Sequence, residues 1–250
     1  MTPDEAYANS AYIPDGDGYY ARWDAAAAAF RAAQGLTQSS PNGEIYAPNG
    51  ALRGTVVIVH GGYWMAGSPS MFSHLAAGAV AAGYVCALPS YTLAPAARIG
   101  DMTRQIAGRI DEIAQAIDGP LYLVGHSAGA HLVARMACVD MAAHWSPRVA
   151  RVMAISPLTD LAPLMDTTMN DTLGIDAAEA HAESPIHHAR QDMAVTAWVG
   201  SAERPAFIDQ AKWLADAWHC DLTVEADRHH FDVIEGLESP VSPMMRALFR

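Results

Sequence analysis

Positive charge is scarce in this 250-residue chain. Fifteen lysines and arginines stand against 27 aspartates and glutamates, for a formal net charge of −12. Such a surface repels phosphate backbones and anionic bilayers, so neither nucleic acid nor membrane is expected as a partner. There is no basic run, so a strongly anionic substrate would find no ready cationic patch. Cysteine is scarce too. Cys86, Cys138 and Cys220 are odd in number and far apart. That argues against a disulfide scaffold or a Cys-based zinc site and for buried thiols in a reducing, cytoplasmic setting. The first twenty residues are acidic and lack the apolar stretch of a secretory signal. Histidines number eleven, but no HExxH is present. The adjacent pairs His187-His188 and His229-His230 diverge on a helix or point oppositely on a strand. No metal and no organic cofactor is expected.

One stretch lacks charge altogether. From Gly54 to Ala97 there is no Asp, Glu, Lys or Arg. Glycine, proline, histidine and serine interrupt it, and its most apolar window, Leu75 to Leu88, is shorter than the ~20 residues a membrane span needs. It reads as buried strand, loop, helix and buried strand.

What is present fits one domain spanning 1–250. Hydrophobic residues make up 51% and charged residues 17%, enough for a sizeable core. Strand-like runs lie at Thr55–Val59, Tyr84–Leu88, Leu121–Val124, Arg151–Ile155, Val195–Val199 and Asp221–Glu225, with Glu44–Pro48 as an earlier edge candidate. Most are continuously apolar, as in a parallel sheet covered on both faces. Between them, Ile106, Ile110, Ile113 and Ile117 form one helical stripe, and Phe207, Ala211, Leu214 and Trp218 another. The alternation predicts an α/β fold with a mainly parallel central sheet and helices on both faces. The long irregular piece 157–193 is expected to form a small cap over the site.

The chemistry centres on LYLVGHSAGAH. Gly125-His126-Ser127-Ala128-Gly129 is a G-x-S-x-G between a strand and a helix-compatible run. In that context the turn is sharp and strained, and small residues two before and two after let strand and helix approach. The serine oxygen then stands at a helix N-terminus as a nucleophile. The first core strand ends in His60-Gly61-Gly62-Tyr63, like the His-Gly-Gly turn of lipases and esterases. The amides of Gly62, Tyr63 and Ala128 are the expected oxyanion donors. Both motifs, in this order and each at a strand end, point to the α/β-hydrolase fold.

In that fold the acid and then the histidine follow the serine. After the last strand the chain offers His229 and His230; His230, before Phe231 and an expected helix, is preferred as base. After the preceding strand the turn holds Glu203, expected to fix the imidazole. Asp209, further along in a helix, and Asp160, after an earlier strand, are rivals for the acid. Trp64, Tyr63 and the residues near Met165–Met169 either line the substrate pocket or simply pack.

With these residues placed, the chain resembles the kynurenine formamidase (arylformamidase) branch of the α/β-hydrolases. The resemblance rests on HGGYW at His60–Trp64, GHSAGAHL at Gly125–Leu132 and ESP at Glu183–Pro185. It also rests on the acid turn with Pro205 and Phe207, on HFDVIEGL at His230–Leu237, and on the N-terminal YANSAYIPDGDGYYARWDAAAAAFR. It implies a Ser–acid–His hydrolase that releases formate from N-formyl-kynurenine, with Ser127, Glu203 and His230 in those roles. Two departures are visible. The acid is Glu where Asp is familiar, and LTQSSPNGEIYAP is shorter than the usual pair of edge strands. Two other functions remain on the same fold: a generic small-acyl carboxylesterase, and a non-catalytic binding module.

Overall fold

A computed structural model describes residues 1–34 and 38–250. Its strands, in chain order, are β1 (Gln38–Ser40), β2 (Gly43–Tyr46), β3 (Thr55–Val59), β4 (Val85–Pro89), β5 (Leu121–His126), β6 (Val149–Ile155), β7 (Ala194–Gly200) and β8 (Asp221–Glu225). The helices are α1 (Pro3–Tyr7), α2 (Gly18–Gln34), α3 (Ala77–Ala81), α4 (Ile99–Ala116), α5 (Ala128–Met136), α6 (Asn170–Leu173), α7 (Ala177–Glu183), α8 (Pro205–Trp218) and α9 (Pro243–Leu248). Among the described residues the eight strands form one sheet in the order β1-β2-β4-β3-β5-β6-β7-β8. Strands from β4 to β8 pair in parallel. β1 and β2 pair antiparallel with each other and β2 antiparallel with β4. The short segment before the first core strand therefore still forms two edge strands, of three and four residues. β1 had no apolar signal of its own.

Continuous apolar strands arise because each face of the sheet has its own core. Val57 and Val59 pack with Ile106, Ile110, Leu132 and Leu214 of α4, α5 and α8. Their neighbours Val56 and Ile58 pack on the other face with Trp23, Phe72, Leu75 and Met244. Side chains alternate across the sheet, so both sets must be apolar. The two predicted helical stripes fall on α4 and α8. Ile106, Ile110 and Ile113, and Phe207, Ala211, Leu214 and Trp218, are buried, while Ile117 caps α4. Among the described residues no helix is long and apolar enough to cross a membrane.

Candidate active site

The turns that follow three neighbouring parallel strands, β3, β5 and β6, hold non-glycine residues with left-handed backbone: Tyr63 and Trp64 (φ 50° and 56°), Ser127 (φ 55°) and Ser156 (φ 50°). Each such residue costs on the order of 1–3 kcal/mol, and surroundings must hold it there. For Ser127 (ψ −118°) the hold is two-sided. Its N–H donates to the Ile155 carbonyl at 2.8 Å, and its own carbonyl accepts the His131 N–H at 3.1 Å. The flanking glycines are required sterically. A Cβ on Gly125 would lie 2.1 Å from the Gly129 carbonyl oxygen, and one on Gly129 2.1 Å from that of Val59.

After β3 the chain turns at Gly62 (φ 113°), whose carbonyl accepts the N–H groups of Met65 and Ala66, each at 3.0 Å. The N–H groups of Gly62, Tyr63 and Ala128 donate to no acceptor among the described residues. Three free donors beside Ser127, one at the N-terminal end of α5, can stabilise a developing oxyanion. His60 shapes this turn as a neutral spacer. Its Nδ1–H donates to the Gly61 carbonyl at 2.8 Å, and its ring stacks on Tyr91 at 4.6 Å. Burial pulls its pKa down to about 4.

His230 follows β8. Its Nδ1–H donates to Glu203 Oε2 at 2.7 Å, and both side chains are almost wholly buried. The other carboxylate oxygen, Oε1, accepts from Ser156 Oγ at 2.6 Å and from the Gly200 N–H at 2.8 Å. Glu203 is thus bound on three sides, and the imidazole it holds leaves Nε2 for chemistry. His126 secures the His230 backbone, since its Nε2–H donates to the His230 carbonyl at 2.8 Å. Burial and the neighbouring His230 hold the His126 pKa well below the usual range. The rival residues lie elsewhere. Asp209 is half exposed on α8 and pairs with Lys212. Asp160 Oδ1 accepts the Ala162 N–H. His229 bonds its own loop through Nδ1 and Tyr19 through Nε2. The residues after His230 form a 3₁₀ turn, Val233–Glu238, not the expected α-helix.

Ser127, His230, His126, Gly61, Gly62 and Tyr63 line one cavity of about 90 Å³. Its remaining walls come from Ala66 and Gly67, the N-terminal segment (Asn9, Ser10, Tyr20, Trp23), the 3₁₀ turn Pro69–Ala76 (Met71, Phe72) and Phe231. This differs from the expected cap. None of residues 157–193, Met165 and Met169 included, lines the cavity. That piece is pinned on the helices, where Glu179 pairs with Arg98 at the start of α4 and Glu183 with Arg135 of α5. The cover is instead α2, which docks Trp23 on Phe72 with ring centroids 5.1 Å apart. Trp64 also falls outside the pocket. It is fully buried in the core on the α5 face, edge-on to His131 at 5.1 Å, so packing accounts for it. Ser156, Asn9, Tyr20 and Trp23 were not foreseen as site residues. Only Ser156 had a local signal, its place at a strand end.

A buried serine in a strained strand–helix turn and a histidine held by a buried carboxylate, both on one cavity at the strand ends of a mostly parallel sheet, define a hydrolase-type site. A sequence model of the family described as the alpha/beta hydrolase fold matches residues 56–231, and the chain belongs to that family. It is similar over its whole length to a crystal structure from a Silicibacter species described as a candidate thioesterase, with 44% identity, all of both chains covered and a TM-score of 0.96. It is 28% identical over 211 residues to a kynurenine formamidase of Danio rerio, covering 78% of this chain and 72% of that one. An esterase of Pyrobaculum calidifontis, 16% identical with 93% of each chain covered, has the same fold at a TM-score of 0.70. The resemblance read from the motifs is thereby borne out, and the chain is a hydrolase of the α/β class.

Proposed function

We propose that the chain removes a small acyl group, formyl foremost, from an arylamine, with N-formyl-L-kynurenine as the leading substrate. Ser127 attacks the carbonyl while His230 Nε2 takes its proton, and the Gly62, Tyr63 and Ala128 amides receive the oxyanion. Glu203 holds the imidazole in the Nδ1–H form and stabilises the imidazolium. His230 then gives the proton to the departing nitrogen. Water, activated by the same histidine, frees formate and Ser127.

The observation that carries this reading is the cavity beside Ser127 and His230. It is about 90 Å³ in volume and bounded by Tyr20, Trp23, Phe72 and Phe231. A small acyl group fits beside Ser127, and aromatic walls suit an aryl leaving group. The similarity to kynurenine formamidases supports the same substrate class. A second reading, cleavage of small esters or thioesters, is favoured by the 44% identity to the candidate thioesterase. Three free cysteines, two of them buried, support a cytoplasmic setting.

The test is kcat/KM on one preparation for N-formyl-L-kynurenine, p-nitrophenyl acetate and a short acyl-cysteamine thioester, with Ser127→Ala as control. Formamide turnover at ~10⁴ M⁻¹s⁻¹ or better, abolished in the variant, sustains the proposal. Turnover of only the ester or thioester replaces the substrate and keeps the chemistry. Full activity in Ser127→Ala overturns both.

A further inference from the structure

Asn9 lies just ahead of the 3₁₀ turn Ser10–Tyr12, more than nine-tenths buried, in the wall of the cavity that holds Ser127 and His230. Its amide orientation follows from its neighbours. The Tyr63 hydroxyl has one hydrogen, which it gives to the Tyr7 carbonyl. Toward Asn9 that oxygen can therefore only accept, so the Asn9 atom 2.7 Å away is the Nδ2 donor. The opposite branch of the amide, Oδ1, is then an acceptor in fixed position. It is buried and has no partner. The hold extends further, because Gln210 of α8 donates to the Tyr7 hydroxyl at 3.0 Å.

A buried acceptor without a donor costs on the order of 1–3 kcal/mol. Nothing in the packing of Asn9 requires Oδ1 to be polar. A formamide and its ester differ at the leaving atom by one hydrogen, N–H against O, and an acceptor fixed in the wall can sense that difference. We propose that Asn9 is a specificity-determining residue whose Oδ1 accepts a hydrogen bond from the N–H of an anilide substrate. The inference rests on the reading above, in which Ser127 opens an acyl bond in this cavity. An anilide N–H satisfies Oδ1. An ester oxygen in the same place leaves two acceptors facing each other, and sites built for an N–H discriminate strongly against analogues that lack it. Asn9 also bonds the side chain of Tyr63, whose backbone amide is one of the free donors at the site. Recognition of the amine half and the geometry at the acyl half are thereby joined through one residue.

The test uses binding, so that it does not depend on which substrate is turned over. Acetanilide and phenyl acetate differ only in N–H against O, and both survive on the Ser127→Ala protein. Their dissociation constants are measured by calorimetry on Ser127→Ala and on the same protein carrying Asn9→Leu, with thermal melts to verify folding. Asn9→Ala replaces Asn9→Leu if the latter does not fold. Acetanilide affinity is expected to fall ~10-fold or more on loss of Asn9, while phenyl acetate changes less than about threefold. Equal losses for the two ligands, no loss for either, or no measurable acetanilide binding to Ser127→Ala would overturn the proposal. Absence of formamide turnover by the wild-type protein, with the binding contrast intact, would overturn only the substrate assigned above.

Discussion

Ser156 Oγ donates to Glu203 Oε1 at 2.6 Å. The serine itself is held in a left-handed conformation at the end of β6, its N–H given to the Trp198 carbonyl of β7 at 2.6 Å. A strained backbone thus aims one hydroxyl at the carboxylate that orients His230. Replacement by alanine leaves Glu203 the Gly200 N–H alone on that oxygen. A hydrogen bond to a charged group contributes about 1.5–3 kcal/mol. Ser156→Ala is expected to lower kcat on p-nitrophenyl acetate by about tenfold with little change in KM. Unchanged kcat would mean that the anchor is idle.

Which carboxylate supports His230 can be decided by amide substitution. Glu203→Gln keeps the shape of the side chain but removes the charge that stabilises the imidazolium, and it disturbs the tautomer. A loss of ~10³–10⁴ in kcat is expected. Asp209→Asn and Asp160→Asn should stay within about threefold of wild type, because neither carboxylate bonds His230. A larger loss in either of these would move the acid away from Glu203.

Glu183 explains why ESP stands where it does. Its Oε2 accepts from Arg135 Nε at 3.1 Å and from Thr103 Oγ1 at 2.8 Å. The next residue, Ser184, takes the Leu161 N–H at 2.8 Å. Arg135 is almost fully buried and keeps only the partly exposed Asp140 if Glu183 is lost. Breaking one side of a buried ion pair typically costs ~3–5 kcal/mol. Retention of Asp140 places Glu183→Ala near the lower end, about 3 kcal/mol, read from urea unfolding. A change below about 1 kcal/mol would show the pair to be dispensable.

The strands around the site were legible because most are apolar runs closed by glycines or a turn, and β3 and β8 match their expected limits residue for residue. The placement of the candidate residues Ser127, His230 and Glu203 beyond strand ends was legible because chain order preserves the order of those ends. The cover was not legible. Tyr20 and Trp23 reach the cavity through the docking of α2 on the turn Pro69–Ala76, a contact between segments about fifty residues apart that no local pattern encodes. The irregular piece 157–193 was equally silent about its true berth, which long-range ion pairs such as Glu179–Arg98 and Glu183–Arg135 help to fix. Trp64 adjoins the glycine turn in sequence, yet two successive left-handed residues send its ring into the core.

That burial makes Trp64 a test of packing against specificity. Trp64→Ala removes a fully buried ring and should cost ~3–5 kcal/mol of stability. Because the indole does not line the cavity, kcat/KM for the formamide and for p-nitrophenyl acetate should fall together and their ratio should hold. A ratio that shifts more than about fivefold would return Trp64 to the substrate pocket.

Acid stability follows from four buried imidazoles. Burial lowers the pKa of His60 and of His74 to about 4 and that of His131 to about 3, and burial with the neighbouring His230 holds that of His126 well below the usual range, against ~6.5 in the unfolded chain. Between these values the unfolded state binds more protons than the native one, by up to about four, so stability rises with pH across that window. It is fully present above ~6.5 and declines as pH falls toward 4. Glu238, 4.0 Å from His74, opposes this in part. Burial raises its pKa, so the native state takes up a proton more readily there. The histidines outnumber it, and the urea midpoint is expected to be lower at pH 5 than at pH 7 and nearly level from pH 7 to 8. A midpoint that holds or rises on going from pH 7 to pH 5 would mean that these imidazoles are protonated in the native state, and that the neutral His60 spacer in the glycine turn is wrongly assigned.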